Sequence, residues 1–538
     1  MTAKATRSAS GTVLLTLASA QFLMTLDSSV MNVSIATVAK DVGTSVTGIQ
    51  TAITMYTPVM ASMMITGGKV GQLLGRKRAF AIGSVIYGCG SLLTALSQNL
   101  ATLLIGWSLL EGIGAALIMP AVVALVASNF GRPERPRAYG LVASAGAIAV
   151  AAGPLIGGLF TTYASWRWVF AGEVLVVVAI LLLTRRIGDT PADEGARLDL
   201  VGTGLSALGL GLVVYGVLRS GTWGLVLAKT GAPQWWGLSP VIWLMLAGGS
   251  ILVGFLSWER RRLQRGQGVL IDPGMLHNRM LRGGLTSFFF QYLLQAGLFF
   301  AVPLFLSVAL GLSAIETGVR LLPLSVTLML AAVGIPKLFP HASPRRVVRL
   351  GFLALFAGIV ILVGLLDLGA GPEIVTWPML LAGLGVGALA SQLGSVTVSA
   401  VPDEESGEVG GLQNTVTNLG ASIGTALAGA VLISTLTTSF FTQVQGNPAI
   451  PADLTAQAQV ELAGGVPFIS DADLRQGLEA RGVPAASVDA IVHDNEQARL
   501  DGLRASMAVL AFIALLAMFF SHGIPTRQPG AVAQAEDR

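Results

Sequence analysis

Charge is scarce in this chain of 538 residues. Asp, Glu, Lys and Arg together make up only 12% of it, against 53% hydrophobic residues and a mean hydropathy of +0.72. Soluble domains are about 25% charged, so a water-soluble globule is excluded. Cysteine is rarer still. Cys89 stands alone, which excludes an intramolecular disulfide. The four histidines, His277, His341, His493 and His522, lie too far apart for a metal-ligand spacing, and no metal is expected. No GxxxxGK[ST] loop occurs, so the chain brings no ATPase of its own. The net charge of +4 sits in short loops rather than on one face, which argues against nucleic acid as a partner. Nothing in the pattern argues for an enzyme.

What the chain has instead is apolar runs, recurring from end to end. Each is about 20 residues long, enough to cross a bilayer as a helix. Fourteen such runs separate between polar breaks, the first at 12–35 and the last at 504–522. The fold class is therefore an all-α polytopic membrane protein with the bilayer as its surroundings. An even number of spans puts both termini on one side, and most Lys and Arg fall on the side of the N-terminus, which predicts cytoplasmic termini. The stretch from Lys4 to Ala20 has the pattern of a signal peptide, but the apolar run continues through Asp27, so it is read as the first span. One long loop, 437–503, is placed on the outer face. It is rich in acids, and segments such as DADLRQGLEARG read as short amphipathic helices on a solvated cap. The polar tail 523–538 reads as disordered.

A shift of 271 residues superposes Gly112, Gly114, Gly140, Gly153 and Gly158 on Gly383, Gly385, Gly411, Gly424 and Gly429. This suits two related halves, 1–198 and 259–522, each of six helices, with two inserted helices in 199–258. Repeated halves are the architecture of secondary transporters, whose binding site lies between them near the midplane.

Several motifs carry chemistry. The loop after the second span contains Gly68, Lys69, Gly71, Gln72, Gly75, Arg76 and Lys77. Its glycines permit a tight turn and its cations anchor that turn at one membrane face. In the fifth span Gly153, Pro154, Gly157 and Gly158 leave room for a neighbouring helix, and the proline removes a backbone donor. Ionisable groups inside spans are costly and point to function. Three acids stand in the first half: Asp27 in LDSSVMNV, Glu111 in WSLLEGIGAA, and Glu173 soon after WRWVF. The second half has Tyr292, Gln295 and Gln392, an Asn pair at Asn414 and Asn418, and Glu316 four residues before Arg320, a spacing for an intrahelical ion pair. Glu408 reads as a helix N-terminal acid.

These stretches together resemble the major facilitator superfamily, and within it the fourteen-helix drug:proton antiporters of the multidrug efflux type. The loop at 68–77 resembles GxLxDxxGRK, with Gln72 where the family has Asp. The first span resembles LDxTxxNVA, the fifth the exporter motif GPxxGG, and 407–420 the stretch GxxSGLxNTxRxLG. The fourth resembles RxxQGxGAA, with Ser108 at the Arg position and Glu111 at the Gln position. The resemblance implies a major facilitator fold in a bacterial inner or plasma membrane. It implies a monomer that needs no cofactor beyond a proton gradient and exports lipophilic, often cationic small molecules in exchange for protons. Proton coupling falls to Glu111, Asp27 and Glu173; the substrate cavity to Asn32, Gln295, Tyr292, Gln392, Asn414 and Asn418; gating to the residues of the two glycine motifs. The lost Asp at Gln72 removes an ion-pair partner from that gate. An exporter of one dedicated natural product, lipid or siderophore has the same fold, and a membrane sensor using 437–503 to bind a partner is the reading from another class.

Overall fold

In a computed structural model of the protein, the described residues are 2–44, 46–188, 197–229, 231–451 and 466–528, with five positions between 454 and 462. Each apolar run forms a helix, because inside a bilayer the backbone must satisfy its own hydrogen bonds. The first half comprises α1 (Thr2–Asp41), α2 (Val46–Leu74), α3 (Arg76–Ala95), α4 (Leu100–Asn129), α5 (Arg135–Tyr163) and α6 (Arg167–Thr184). Then come α7 (Leu200–Trp223) and α8 (Pro240–Gln264). The second half has α9 (Arg279–Ala309), α10 (Ala314–Leu338), α11 (Pro344–Leu365), α12 (Thr376–Val398), α13 (Ser406–Gly446), a short α14 (Asp471–Ala480) and α15 (Ala485–Phe520). Among the described residues, thirteen of the long helices are apolar and long enough to cross a membrane. The exception among the fourteen is α2, which carries several Thr and Gly residues and packs against α4, α7 and α13.

The glycine coincidences turn out to be equivalent contacts. Gly114 on α4 lies against the α3 backbone, where an added Cβ would sit 2.9 Å from Gly83 O; Gly385 on α12 lies against α11, 2.6 Å from Gly351 O. Across the halves, Gly140 on α5 abuts Ala332 O of α10 and Gly411 on α13 abuts Met64 O of α2, at 2.5 and 2.9 Å. The two halves thus meet through mirrored close approaches of α5 to α10 and α13 to α2. Both approaches lie toward the face that carries the α2–α3 turn. The inserted helix α7 packs on α2 and α13, one from each half, and α8 packs on α7.

Three expectations need correction. The loop read as 437–503 is mostly helix: α13 runs on to Gly446 and α15 begins at Ala485. Hydroxylic residues broke the hydropathy there, yet Leu436, Phe440 and Val444 still form a stripe against Ile491 and Ala498. The DADLRQGLEA segment is the helix α14, as its pattern suggested. Glu316 does not pair with Arg320; it turns back to cap its own helix, accepting from Ser313 N at 2.9 Å and Ser313 Oγ at 2.8 Å. The start of the tail is ordered, since Ile524 is fully buried and Pro525 O accepts from Arg345 N at 3.2 Å. Residues 529–538 lie outside the described residues.

Candidate functional site

Asp27, Glu111 and Glu173 converge. They arrive on α1, α4 and α6, each nearly or fully buried, and one carboxylate oxygen from each lies within 4.8 Å of the other two. Local sequence explains how. The segment Leu104–Glu111 of α4 is wound as a π-helix, with about 4.4 residues per turn, so Trp107 and Glu111, four apart, lie along one side. Gly90 on α3 makes room for the acid, since a Cβ there would lie 2.6 Å from Glu111 Cγ.

The surroundings supply neutral donors. Trp107 Nε1 donates to both Asp27 oxygens at 2.8 Å, and the indole stacks on Tyr56 of α2 with ring centroids 5.4 Å apart. Ser91 Oγ donates to Glu173 at 3.1 Å and Thr94 Oγ1 to Glu111 at 3.3 Å, both from α3. Glu111 Oε2, Glu173 Oε1 and the buried Tyr87 hydroxyl have no hydrogen-bond partner among the described residues. Among the described residues no Lys, Arg or His bonds to any of the three acids. Three negative charges this close repel strongly, so the cluster is suited to hold protons or a cation in place of charge. Ser108, at the position where the family has Arg, instead donates to Ala52 O of α2 at 2.9 Å.

A second feature is a cavity of about 140 Å³ between the halves. Tyr292, Gln295 and Asn414 line it, together with Gln21 and Thr25 of α1, Gln291 of α9 and Gln413 of α13. Gln21, Thr25 and Gln413 escaped notice in the sequence because an isolated amide or hydroxyl in an apolar run is common. Gln392 does not reach it: it is buried against Ser391 and accepts from Gln528 Nε2 at 3.0 Å. Asn418 does not line it either, and donates to Asn414 O along its own helix at 2.8 Å. The side chain of Asn32 lies outside those described. Position 27 is about 200° around α1 from Thr25, so the acid cluster and the cavity occupy opposite sides of the same helix.

The third feature joins the halves at the face of the α2–α3 turn. Gly75, with φ 91°, makes that turn. Lys69 Nζ donates to Gln72 Oε1 at 2.9 Å and pairs with Glu408 Oε1 of α13 at 3.0 Å. Gln72 Nε2 reaches Glu404 O at 3.4 Å, and Arg76 donates to Ala124 O of α4 and to Asp403 O. Arg135 of α5 pairs with the Asp403 carboxylate at 2.9 Å. Gly68 allows the contact, because a Cβ there would lie 2.4 Å from Gly407 O. The acid absent at position 72 is thus supplied from the opposite half, and Glu408 is an ion-pair partner as well as a helix N-terminal acid. Lys77 donates to Arg185 O of its own half at 3.3 Å, and a Cβ at Gly71 would meet Ala79. Gly153 and Gly157 lie against Ser29 and Val30 of α1, Gly158 is partly exposed, and the side chain of Pro154 lies outside those described.

The Major Facilitator Superfamily profile matches residues 17–425. The chain belongs to that superfamily. It is 32% identical over 450 residues to the puromycin resistance protein of Streptomyces alboniger, covering 82% of this chain and 85% of that one. It is 27% identical over 514 residues to the multidrug efflux pump LfrA of Mycolicibacterium smegmatis, covering 94% of each. A further relative, 28% identical over 432 residues, is the probable actinorhodin transporter of Streptomyces coelicolor, covering 78% of this chain and 71% of that one. Among solved structures the human organic anion transporter MFSD10 superposes with a TM-score of 0.55 at 13% identity, covering 96% of this chain and 98% of that one. The proton:xylose symporter XylE follows at 0.53 and 14%, covering 98% and 99%. The major facilitator fold is therefore established, and the chain is an integral membrane transporter of the bacterial inner-membrane type.

Proposed function

We propose that this transporter exports lipophilic, often cationic small molecules in exchange for protons by alternating access. The relatives named for antibiotic resistance and multidrug efflux support export. The observation that carries proton coupling is the buried cluster of Asp27, Glu111 and Glu173, furnished with neutral donors and, among the described residues, no bonded cation. The face of the α2–α3 turn is read as cytoplasmic, and the described state as closed on that side by Lys69–Glu408 and Arg135–Asp403.

Because the cluster and the cavity lie on opposite sides of α1, the acids do not exchange directly between substrate and proton. Protonation instead changes the charge that α1, α4 and α6 hold between them. It thereby biases how α1 and α5 sit around the cavity. At about 140 Å³ the cavity is below the 300–1,000 Å³ typical of ligand sites, so substrate entry requires the halves to part at the cytoplasmic face. Each proton drawn inward contributes about 2.3 kcal/mol per 100 mV of membrane potential. The transporter acts as a monomer and needs no other cofactor.

Inside-out membrane vesicles carrying the protein test this reading. Accumulation of a lipophilic cationic dye is expected to require an imposed pH gradient and to collapse when an ionophore dissipates it. Accumulation indifferent to the gradient contradicts proton coupling, and accumulation of no dye points to an exporter of one dedicated compound.

A further inference from the structure

Far from the acid cluster, a groove of about 930 Å³ runs from the α10–α11 turn, on the face of the α2–α3 turn, along α11 to the middle of α12. Its floor and walls are apolar: Ile335, Phe339, Leu350 and Leu384. Its rim is cationic, formed by Arg345, Arg346 and Arg349 with His341 beside them. Among the described residues of the segments that build it, no acid offsets this charge. The segments 335–350 and 521–528 hold Lys337, Arg345, Arg346, Arg349 and Arg527 and not one Asp or Glu.

The three rim arginines are not equivalent. Arg345 Nε is committed to Ile524 O at 2.7 Å and Arg349 Nε to Ser521 Oγ at 3.1 Å, which tie α11 to the end of α15. Arg346 is exposed and makes no ion pair among the described residues. Beside it the first turn of α11 begins at Ser343, whose Oγ is shielded from solvent and has no partner among the described residues, and whose side chain does not cap the helix. Pro344 has no N–H and Arg345 N is taken by Pro525 O, so the guanidinium of Arg346 is the group left to meet a phosphate. Apolar walls directly beneath that point favour acyl chains. Phe339 and Leu350, both 62% exposed, and Leu384, at 45%, open the groove sideways to the hydrocarbon.

We infer that this groove binds an anionic phospholipid of the leaflet that meets this face, its phosphate held by Arg346 and its acyl chains lying along Phe339, Leu350 and Leu384. The charge complementarity and the apolar floor select a lipid over a soluble anion, which would leave the floor in water. The lipid would steady the α10–α11 turn, which pairs with the α2–α3 turn in the repeat of the two halves.

The test uses the full-length transporter, purified in mild detergent, stripped of lipid and exposed to phosphatidylglycerol or phosphatidylcholine with the same acyl chains. Bound lipid is counted by native mass spectrometry. Wild type is expected to retain phosphatidylglycerol in preference to phosphatidylcholine. Arg346→Ala lowers that preference about fivefold, the worth of one basic group near an anionic surface. Arg346→Glu lowers it further and Arg346→Lys largely restores it, which separates lost charge from misfolding. Inorganic phosphate in excess leaves retention unchanged. Equal retention of the two lipids, retention unaffected by Arg346→Glu, or displacement by inorganic phosphate would each overturn the assignment.

Discussion

Lys69 of α2 and Glu408 of α13 stand 339 residues apart in the chain and 3.0 Å apart in space. Their side chains are only 9% and 7% exposed, so the pair is nearly dry. Breaking such a pair leaves one buried charge uncompensated, at a cost of about 3–5 kcal/mol. Lys69→Ala or Glu408→Ala is therefore expected to open the face of the α2–α3 turn. Alkylation of a cysteine introduced near Gln72 should speed up in each single variant, and the exchange Lys69→Glu with Glu408→Lys should slow it again. Equal alkylation in all of them would deny the pair a role in closure.

The mirrored contacts Gly140–Ala332 and Gly411–Met64 give a second expectation. A Cβ at either glycine collides with backbone, which cannot yield as a flexible side chain does. Gly140→Ala and Gly411→Ala should both favour the state open at this face and slow turnover, while Gly204→Ala, which meets nothing within 4 Å, should be silent. Transport rates in vesicles, read beside the same alkylation assay, check this.

Trp107 offers a probe of the acid cluster that leaves the carboxylates in place. Trp107→Phe keeps an aromatic ring for Tyr56 to stack on but removes the N–H that serves both oxygens of Asp27. A hydrogen bond to a charged group is worth about 1.5–3 kcal/mol. Proton-driven transport is expected to fall at least tenfold, with the purified variant still eluting as a folded species. Transport at the wild-type rate would show that Asp27 needs no indole donor.

Much of this was legible in the chain, and the remainder depended on packing. The spans were readable because hydrocarbon demands long uninterrupted apolar helices. Asp27, Glu111 and Glu173 were each conspicuous as charges within such runs. Their meeting was not, since it depends on how α1, α3, α4 and α6 pack and on a π-helical turn that no local pattern announces. Gln72 showed that an acid was missing from the α2–α3 turn, while its replacement, Glu408, lay in the other half. The extension of α13 was hidden by its Thr and Ser, and that of α15 by charged residues such as Asp494, Glu496 and Arg499, in helices that continue beyond the apolar band. Asp27 read as a proton-coupling acid, and only the register of α1 shows that it stands opposite the cavity residues Gln21 and Thr25.

The most direct measurement places wild type and Glu111→Gln in proteoliposomes and follows lumenal pH and dye movement together. The glutamine keeps the shape and can still accept from Thr94, but it neither binds nor releases a proton. The account predicts dye-driven proton flux in wild type and its loss in Glu111→Gln, with dye binding retained because the cavity lies on the other side of α1. Undiminished proton flux in the variant would contradict the assignment of the cluster as the coupling site.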